Sequence, residues 1–356
     1  MKALLLTEYN QLGIAEQPTP EPRPDELLVQ IAACGICGSD VHGYDGSTGR
    51  RIPPIVMGHE AAGTVAAVGS AVRGFQPGDR VTFDSTVYCG VCDYCRRGDI
   101  NLCNQRQIVG VSCAEFKRPG AFAEFIAVPA HIAYHLPADF SFADAAMLEA
   151  VSVALHAIAV SQMKGEETVL VVGAGMIGLL LLQAARAAGA SRIFIADVDA
   201  TRLQLATTLG ADATLQVSGA PLVQQIMHLT EGRGVDLVLE AVGVNETIAA
   251  SIDCVRKGGT VTLVGNVSAQ VNLPLQTVVT RQIRLQGSCA SAGEYPQAIE
   301  LIASGKIQVK PLITAIAPLS DGPSWFARLH AREPNLMKIV LDPRAAAAHA
   351  TTEPTP

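Results

Sequence analysis

A glycine-rich turn between an apolar segment and a helix-like segment constrains the fold of this chain most. Residues 169–179 read V-L-V-V-G-A-G-M-I-G-L. Spaced in this way, one glycine permits a tight turn, another lets a phosphate approach the backbone, and the last lets the helix pack closely on the strand. The pattern predicts a turn that binds the pyrophosphate of a dinucleotide through Gly173, Gly175, Met176, Ile177 and Gly178.

An acidic residue after the next predicted strand refines this prediction. The apolar segment 192–196 is followed by Asp197, 19 residues after Gly178. A carboxylate at that place accepts hydrogen bonds from the adenosine ribose hydroxyls and repels a 2′-phosphate. The sequence therefore predicts NAD as the cofactor in preference to NADP.

The region around the turn alternates strand-like and helix-like segments. This order is typical of a parallel, doubly wound sheet, because each strand is followed by a crossover helix. The predicted strands are 168–172, 192–196, 213–215, 235–240, 260–264 and 284–286. The link 265–283 contains Pro274, and its structure is left open.

The rest of the chain has a different texture. Residues 1–150 contain short Val-, Ala- and Ile-rich stretches broken by Gly and Pro, which indicates a mainly antiparallel β region. A helix at 295–303 and a final strand near 337–341 follow the alternating region. We predict one domain formed by 1–150 and 291–343, an inserted dinucleotide-binding domain at 151–290, and a disordered tail at 344–356.

Charge and hydropathy exclude several classes of function. Twenty-six basic and 33 acidic residues give a net charge of −7, so there is no overall positive field for nucleic acid or an anionic membrane. The longest apolar run, 169–182, is shorter than the roughly 20 residues that a spanning helix needs. Because no signal-peptide pattern is present either, we expect a cytoplasmic protein that acts on a small molecule.

Four of the nine cysteines form a compact pattern, C-x₂-C-x₂-C-x₇-C, at Cys89, Cys92, Cys95 and Cys103. Four thiolates at close spacing suit tetrahedral zinc, and with every position taken by sulfur such an ion is structural. An iron–sulfur cluster prefers a shorter last spacing followed by proline, whereas Asn104 follows Cys103. The lobe is therefore predicted to bind a structural zinc ion.

A second group has mixed chemistry. Cys37 lies in C-G-I-C-G-S-D-V-H, and His59 and Glu60 lie in M-G-H-E-A-A-G. Thiolate, imidazole and carboxylate donors that leave a coordination position open are typical of catalytic zinc. A histidine beside a glutamate is also common as an ordinary surface or core pair, so this reading depends on the other motifs.

Taken together, these motifs resemble the zinc-dependent medium-chain dehydrogenases, and within them the polyol branch that includes sorbitol (L-iditol) and galactitol-1-phosphate dehydrogenases. The likeness covers nearly the whole chain, and G-H-E-A-A-G-T-V-A-A-V-G-S-A-V-R-G-F-Q-P-G-D-R-V at 58–81 matches the zinc signature of the family. The resemblance implies an α/β protein with a GroES-like, mainly β catalytic domain and a Rossmann domain. It also implies NAD-dependent oxidation of a secondary hydroxyl of a sugar alcohol to the ketose, reversibly.

The resemblance also implies roles for single residues. Cys37, His59 and Glu60 would bind the catalytic zinc, Ser39 and His42 would form the proton relay, and Arg202 would contact the adenosine ribose. Glu149 is a possible fourth zinc ligand. Relatives usually have proline after this glutamate, whereas this chain has Ala150, and Glu149 could instead be a charge at a helix N-terminus.

Substrate and assembly stay open at this level. Arg50 and Arg51 are either solvated loop arginines or a pair that binds the phosphate of a sugar-alcohol phosphate. L-Threonine or a simple secondary alcohol is an alternative substrate, and a non-catalytic NAD(H)-binding scaffold is an alternative of another class. Relatives pair through the edge strand of the Rossmann sheet, here 277–286, which implies a homodimer or homotetramer.

Overall fold

The computed structural model of the protein describes residues 1–113 and 116–345. Its strands are β1 (Lys2–Glu8), β2 (Gln11–Glu16), β3 (Glu26–Gly35), β4 (Ile55–Val56), β5 (Glu60–Val68), β6 (Arg80–Phe83), β7 (Thr86–Val87), β8 (Gln107–Ile108), β9 (Phe125–Pro129), β10 (Ala133–His135), β11 (Thr168–Val172), β12 (Arg192–Ala196), β13 (Ala213–Leu215), β14 (Val235–Glu240), β15 (Val255–Leu263), β16 (Arg284–Gly287), β17 (Ile313–Pro318) and β18 (Lys338–Asp342). Its helices are α1 (Gly38–Tyr44), α2 (Asp93–Arg96), α3 (Phe142–Ala145), α4 (Leu148–Ser161), α5 (Met176–Ala187), α6 (Ala200–Thr208), α7 (Gly219–Leu229), α8 (Asn245–Cys254), α9 (Leu275–Thr280), α10 (Tyr295–Ala303) and α11 (Gly322–His330).

The described chain divides into two compact units. Unit 1 contains Met1–Glu149 and the described residues from Ile313 onward, and unit 2 contains Ala150–Leu312. The first boundary lies inside α4, one residue from the predicted one. In the part of the chain that the structure describes, no helix has both the length and the apolar composition needed to cross a membrane.

Unit 2 is built on a six-stranded sheet in the order β13-β12-β11-β14-β15-β16, with every neighbouring pair parallel. This confirms the predicted doubly wound sheet. Strands such as β11 and β14 are almost continuous runs of Val and Leu because helices cover both faces of a parallel sheet. Strand β15 begins at Val255, five residues before the predicted start. The prediction began too late because Gly258 and Gly259 interrupt the apolar pattern of the strand.

Unit 1 contains the mainly antiparallel sheets that the sequence predicted. Its largest sheet has the order β10-β6-β5-β3-β18-β17, and β9 also pairs with β3. The long strand β3 lies at the centre and pairs in antiparallel register with β5, where Gly35 faces Glu60. The late strand β18 pairs with the other side of β3, where Val340 faces Gly35. Three distant parts of the chain therefore meet at Gly35.

The second boundary differs from the prediction. Residues 291–312 were assigned to the catalytic domain, whereas the structure groups them with unit 2. Helix α10 buries Tyr295 and Ala298 there. Gln183 of α5 and Gln308 are joined by two hydrogen bonds, of 3.2 and 2.7 Å. The amphipathic pattern of α10 predicts a helix with one buried face, but it does not indicate which of the two cores that face covers.

The predicted tail falls mostly outside the described residues. Arg344, where that prediction begins, forms an ion pair of 3.0 Å with Asp342. Residues 346–356 are not among those that the structure describes. The predicted disorder of the tail therefore stays a prediction.

Candidate active site

The three residues predicted to bind a catalytic metal, Cys37, His59 and Glu60, lie together in unit 1 and are called the mixed group. Cys37 immediately precedes α1 and is its N-cap residue, His59 immediately precedes β5, and Glu60 is the first residue of that strand. One ligand atom from each residue lies within 4.8 Å of the other two. His59 and Glu60 are buried, whereas Cys37 is partly accessible. Such an arrangement of thiolate, imidazole and carboxylate donors is suited to a metal ion with one accessible side.

A buried carboxylate that the sequence reasoning did not identify supports this group. Asp40 Oδ1 lies 3.3 Å from His59 Nδ1, and Oδ2 accepts a hydrogen bond of 3.3 Å from the Cys37 backbone N–H. With Nδ1 directed at Asp40, the His59 ring can offer Nε2 as a ligand atom. Burial alone would raise the pKa of Asp40, but the charges and hydrogen bonds of His59 and Arg51 hold that pKa well below its usual range.

The contact with Asp40 also shifts the pKa of His59. Burial by itself lowers the pKa of His59, but the Asp40 carboxylate and the hydrogen bond with Cys37 outweigh burial and raise it well above its usual value. The same carboxylate therefore fixes the start of α1 and the orientation of the imidazole ring.

Arg51 is buried beside the mixed group. It is 4% exposed, and its Nη2 donates hydrogen bonds of 3.1 Å to both Asp40 Oδ1 and Ser39 Oγ. Arg50, by contrast, is exposed. The alternative of a solvated loop residue is wrong for Arg51, because its guanidinium forms a buried ion pair within the site. Phosphate binding by the pair stays a prediction.

Lys338 is a second residue that sequence reasoning missed. Its Nζ, which is buried, donates a hydrogen bond of 3.0 Å to the Ile36 carbonyl and forms an ion pair of 2.5 Å with Glu60 Oε2. Burial alone would lower the pKa of Lys338, but the negative charges of Glu60 and Cys37 raise it. No local motif marks this lysine, because it reaches the site through the pairing of β18 with β3.

Gly35 makes room for this ion pair. A Cβ atom built at Gly35 would lie 2.3 Å from Glu60 Oε2 and 3.3 Å from Lys338 Cδ. Its φ angle is not in the left-handed region, so the reason for glycine here is space and not backbone conformation.

Glu149 lies near the group without joining it. It is in the first turn of α4, and its Oε1 is 3.5 Å from Ser85 Oγ. Its oxygens are not among the atoms that lie within 4.8 Å of one another. Burial, together with the charges of Glu60 and Asp84, raises the pKa of Glu149 to about 7, although His59 and Lys338 oppose this. Its role as a fourth ligand stays a prediction.

The charges of this part of the molecule fit a divalent cation. When ionised, Cys37 and Glu60 each carry a negative charge, and Lys338 pairs with Glu60 Oε2. Buried Glu60 Oε1 has no hydrogen-bond partner among the described residues. Because unbalanced charge is costly in a buried place, an ion of charge +2 at Cys37, His59 and Glu60 satisfies both conditions.

The two predicted relay residues lie on α1. Ser39 is in its first turn, and His42 is exposed in its last turn. His42 borders a cavity of about 430 Å³ within unit 1, which Asp45, Ser47 and His330 also line. Ser39 is thus near the donor group and His42 can exchange protons with solvent.

The four-cysteine lobe is also assembled as predicted. Ligand atoms of Cys89, Cys92, Cys95 and Cys103 lie within 4.8 Å of one another. Backbone N–H groups point at two of the sulfurs, from Cys89 and Gln105 to Cys103 at 3.3 Å each and from Cys92 to Cys89 at 3.4 Å. Hydrogen bonds of this kind stabilise thiolates, so the lobe fits a four-sulfur zinc site with no open position.

The glycine-rich turn has the geometry that a dinucleotide needs. Gly173 has a φ of +96°. A Cβ at Gly178 would lie 1.8 Å from the Gly173 carbonyl oxygen, so only glycine allows α5 to pack this closely. A Cβ at Gly175 would meet nothing within 4 Å, and this open space lies at the N-terminus of α5. Met176 and Ile177 follow in the first turn. The turn therefore fits the pyrophosphate of a dinucleotide.

Asp197 is tied to the same turn. Its Oδ2 accepts a hydrogen bond of 2.6 Å from the Ala174 N–H, and its Oδ1 accepts one of 2.9 Å from the Asp199 N–H. Arg202 lies in the first turn of α6 and is 3.6 Å from Asp199. Asp197 is thus placed beside the glycine-rich turn, whereas the contact of Arg202 is with Asp199.

Comparisons with known proteins agree with this geometry. The family model described as "Alcohol dehydrogenase GroES-like domain" matches residues 23–138, and the one described as "Zinc-binding dehydrogenase" matches 177–304. A sorbitol dehydrogenase of Bacillus subtilis is 34% identical over 88% of this chain and 89% of its own length.

Two solved structures are similar over most of the chain. Galactitol-1-phosphate dehydrogenase of Escherichia coli has a TM-score of 0.88 and 30% identity, covering 96% of this chain and 100% of its own. A structure from Sinorhizobium meliloti, described as a zinc-binding dehydrogenase bound to NADP, has a TM-score of 0.86 and 32% identity, covering 96% and 99%.

Proposed function

The chain belongs to the zinc-binding alcohol dehydrogenase family with a GroES-like domain, and from this membership we propose that it oxidises a secondary hydroxyl of a sugar alcohol to the ketose, reversibly, with NAD. The observation that carries the proposal is the group of Cys37, His59 and Glu60. Its donor atoms converge within 4.8 Å, and its buried charge is suited to a divalent ion.

Zinc held by Cys37, His59 and Glu60 would supply Lewis-acid polarisation of the substrate hydroxyl, and NAD held at the glycine-rich turn would supply the hydride acceptor. Residues of the chain orient the metal ligands and transfer the proton. Asp40 fixes the ring of His59, and Lys338 fixes one oxygen of Glu60. Ser39 accepts the proton of the substrate hydroxyl as it gives up its own, and exposed His42 is the residue that receives this second proton and releases it to solvent.

Asp197 supports NAD over NADP, although one similar structure holds NADP. Its carboxylate is held by two backbone N–H groups beside the turn, so it cannot easily move away from a ribose 2′-phosphate. Steady-state kinetics with both cofactors test this. We expect kcat/KM to favour NAD at least tenfold and Asp197→Ala to reduce that ratio.

The substrate class rests on the relatives and on the polar groups of unit 1. Sorbitol and galactitol 1-phosphate, named for two of those relatives, are the informative probes. Arg51 is occupied by its ion pair, so among the two adjacent arginines only Arg50 is available to a phosphate. If a phosphate is recognised there, Arg50→Ala should raise the KM for the phosphorylated probe and leave that for sorbitol unchanged.

One assay tests the proposal as a whole. The zinc-loaded enzyme is incubated with NAD and a panel of polyols, polyol phosphates, L-threonine and 2-butanol, and NADH is measured at 340 nm. We expect the highest kcat/KM with a polyol or polyol phosphate. NADH formation only with L-threonine or 2-butanol would overturn the substrate class. No NADH with any compound would overturn the activity.

We infer that the protein forms at least a dimer through the free edge of the unit 2 sheet. Strand β16 ends this sheet, and Val267, Leu275 and Val279 before it are 62–69% exposed. An unpaired edge with exposed apolar side chains is a pairing surface. Light scattering tests the inference: Val279→Asp should yield monomers, whereas Ile316→Asp, on the edge strand β17 of unit 1, should not.

We also propose that the protein acts in the cytoplasm. All nine cysteines are free of disulfide bonds, and six of them are exposed or partly exposed, namely Cys37, Cys89, Cys92, Cys95, Cys113 and Cys289. Such thiols persist in a reducing compartment. Cell fractionation with antibody detection would test this location.

A further inference from the structure

Arg51 has no place in the mechanism so far, although it is one of the most completely buried charges in unit 1. Its side chain is 5% exposed. A guanidinium cannot lose its proton in a protein, so its charge must be balanced where it lies. The balancing group is Asp40, whose side chain is fully buried, and the two form an ion pair of 3.1 Å.

One nitrogen of Arg51 donates hydrogen bonds to two residues that have different proposed roles. Nη2 carries two hydrogens, and it lies 3.1 Å from both Asp40 Oδ1 and Ser39 Oγ. The same Asp40 oxygen lies 3.3 Å from His59 Nδ1. A single cationic group is therefore shared between the proton-accepting hydroxyl and the carboxylate that orients a predicted metal ligand.

The contact with Ser39 determines what its hydroxyl can do. Arginine only donates hydrogen bonds, so the Ser39 O–H hydrogen cannot point at Arg51. One lone pair of Ser39 Oγ is taken by Arg51. The other lone pair and the O–H remain for accepting one proton and passing on another. Arg51 thus sets the orientation in which Ser39 can transfer a proton without itself taking part in the transfer.

The aliphatic part of the Arg51 side chain is also closely packed. A Cβ built at Gly43 would lie 2.2 Å from Arg51 Cγ and 2.9 Å from its Cβ. Gly43 is buried in the last turn of α1, the helix that carries Ser39 and Asp40. The absence of a side chain at position 43 is what lets Arg51 lie along this helix.

From these contacts we propose that Arg51 is a positioning residue that holds the Ser39 hydroxyl and the Asp40–His59 pair in one arrangement, and not a ligand for substrate phosphate. This deepens the proposed function and rests on it for the kinetic consequences. The consequence for the metal ligands is independent of any substrate.

Kinetics with two substrates give the first test. Arg51→Met keeps the length of the stem and removes the hydrogen bonds. We expect kcat to fall 10- to 100-fold, by the same factor for sorbitol and galactitol 1-phosphate, with little change in the KM for NAD. The solvent deuterium isotope effect on kcat should rise, because proton transfer becomes more rate-limiting. Arg51→Lys should recover part of kcat.

A spectroscopic test does not depend on turnover. In enzyme substituted with Co²⁺, the d–d absorption reports the geometry of the ligands. We expect Arg51→Met to change this spectrum, because Asp40 then contacts His59 without a competing cation. Gly43→Ala should change it in the same direction by displacing Arg51, even though alanine favours the helix. Arg73→Met, at an exposed arginine, should leave both spectrum and kcat unchanged.

The outcomes of these tests distinguish a failure of the positioning role of Arg51 from a failure of the proposed polyol oxidation. A loss confined to the KM of the phosphorylated substrate would overturn the positioning role and assign Arg51 to phosphate binding. Unchanged spectra and an unchanged isotope effect in both Arg51→Met and Gly43→Ala would also overturn it. If the unsubstituted enzyme oxidises no polyol, the proposed function fails, and the spectra still decide the role of Arg51.

Discussion

The two candidate metal centres of unit 1 are built on opposite principles. In the four-cysteine lobe, every ligand comes from one short stretch, Cys89 to Cys103, and backbone N–H groups supply the supporting hydrogen bonds. In the mixed group, the ligands Cys37, His59 and Glu60 are supported by charged side chains from three further positions. We refer to these as the cysteine lobe and the mixed group.

The difference follows from what each centre has to do. A structural ion needs four equivalent donors and no access, so a local loop is sufficient. A catalytic ion needs an open side, and its remaining ligands must stay ordered without a full shell. Asp40, Arg51 and Lys338 provide that order from outside the ligand set. The comparison predicts that changes in the mixed group affect turnover most, and changes in the lobe affect stability most.

The largest expected effect on activity is that of Cys37→Ser. A serine hydroxyl is a poor zinc ligand, so we expect kcat to fall by about 10³-fold, equivalent to about 4 kcal/mol of transition-state stabilisation. The midpoint of thermal unfolding should change little. Metal analysis should find one zinc ion per chain in place of two. Full activity in this variant would contradict the assignment of the mixed group as the catalytic centre.

The largest expected effect on stability is that of Cys92→Ser. Removing one thiolate opens the cysteine lobe, and a loss of about 3 kcal/mol would lower the midpoint of thermal unfolding by roughly 10 °C. Trypsin should then cut at exposed Arg96 and Arg97 faster than in the unchanged protein. An unchanged midpoint with both zinc ions retained would show that the lobe is not held by metal.

An effect on stability of similar size, but one that depends on the metal, is expected for Lys338→Met. This change leaves the Glu60 carboxylate buried without its cation, which costs about 3 kcal/mol in chemical denaturation after treatment with a chelator. With zinc present the cost should shrink, because the ion can compensate the carboxylate. Lys306→Met, at an exposed lysine, is the matched control. An equal cost with and without zinc would argue that Glu60 is not a ligand.

The smallest effect is expected for Gly35→Ala. The added methyl group would meet Glu60 Oε2 and must displace it, so we expect the zinc content after dialysis and kcat to fall about tenfold. Gly13→Ala, where a Cβ meets nothing within 4 Å, is the control and should retain both. If the two variants behave alike, the space at Gly35 has no influence on the mixed group.

The same contrast explains how much the sequence could predict. The convergence of the four sulfurs in the lobe was predictable because their spacing is local and their chemistry uniform. The convergence of Cys37, His59 and Glu60, the parallel sheet and the glycine-rich turn were also predictable, since short motifs and periodicity specify them. The sequence did not identify Asp40 or Lys338, because a buried counter-ion has no fixed spacing from the group it balances.

Arg51 shows a further limit. Two adjacent arginines between motifs suggest a surface role, and only the packing on Gly43 and the pairing with Asp40 reveal that one of them turns inward. The assignment of 291–312 failed for a related reason. The amphipathic pattern of α10 indicates a buried face but carries no information about which of two cores receives that face.

The position of Lys338 has a consequence for biosynthesis. It lies 278 residues after Glu60, on a strand that pairs with β3 only once the whole of unit 2 has been made. On the ribosome, the cysteine lobe has all its ligands as soon as Cys103 emerges. The mixed group must wait for almost the entire chain, so zinc delivered early would find one finished site and one whose glutamate still lacks its counter-ion.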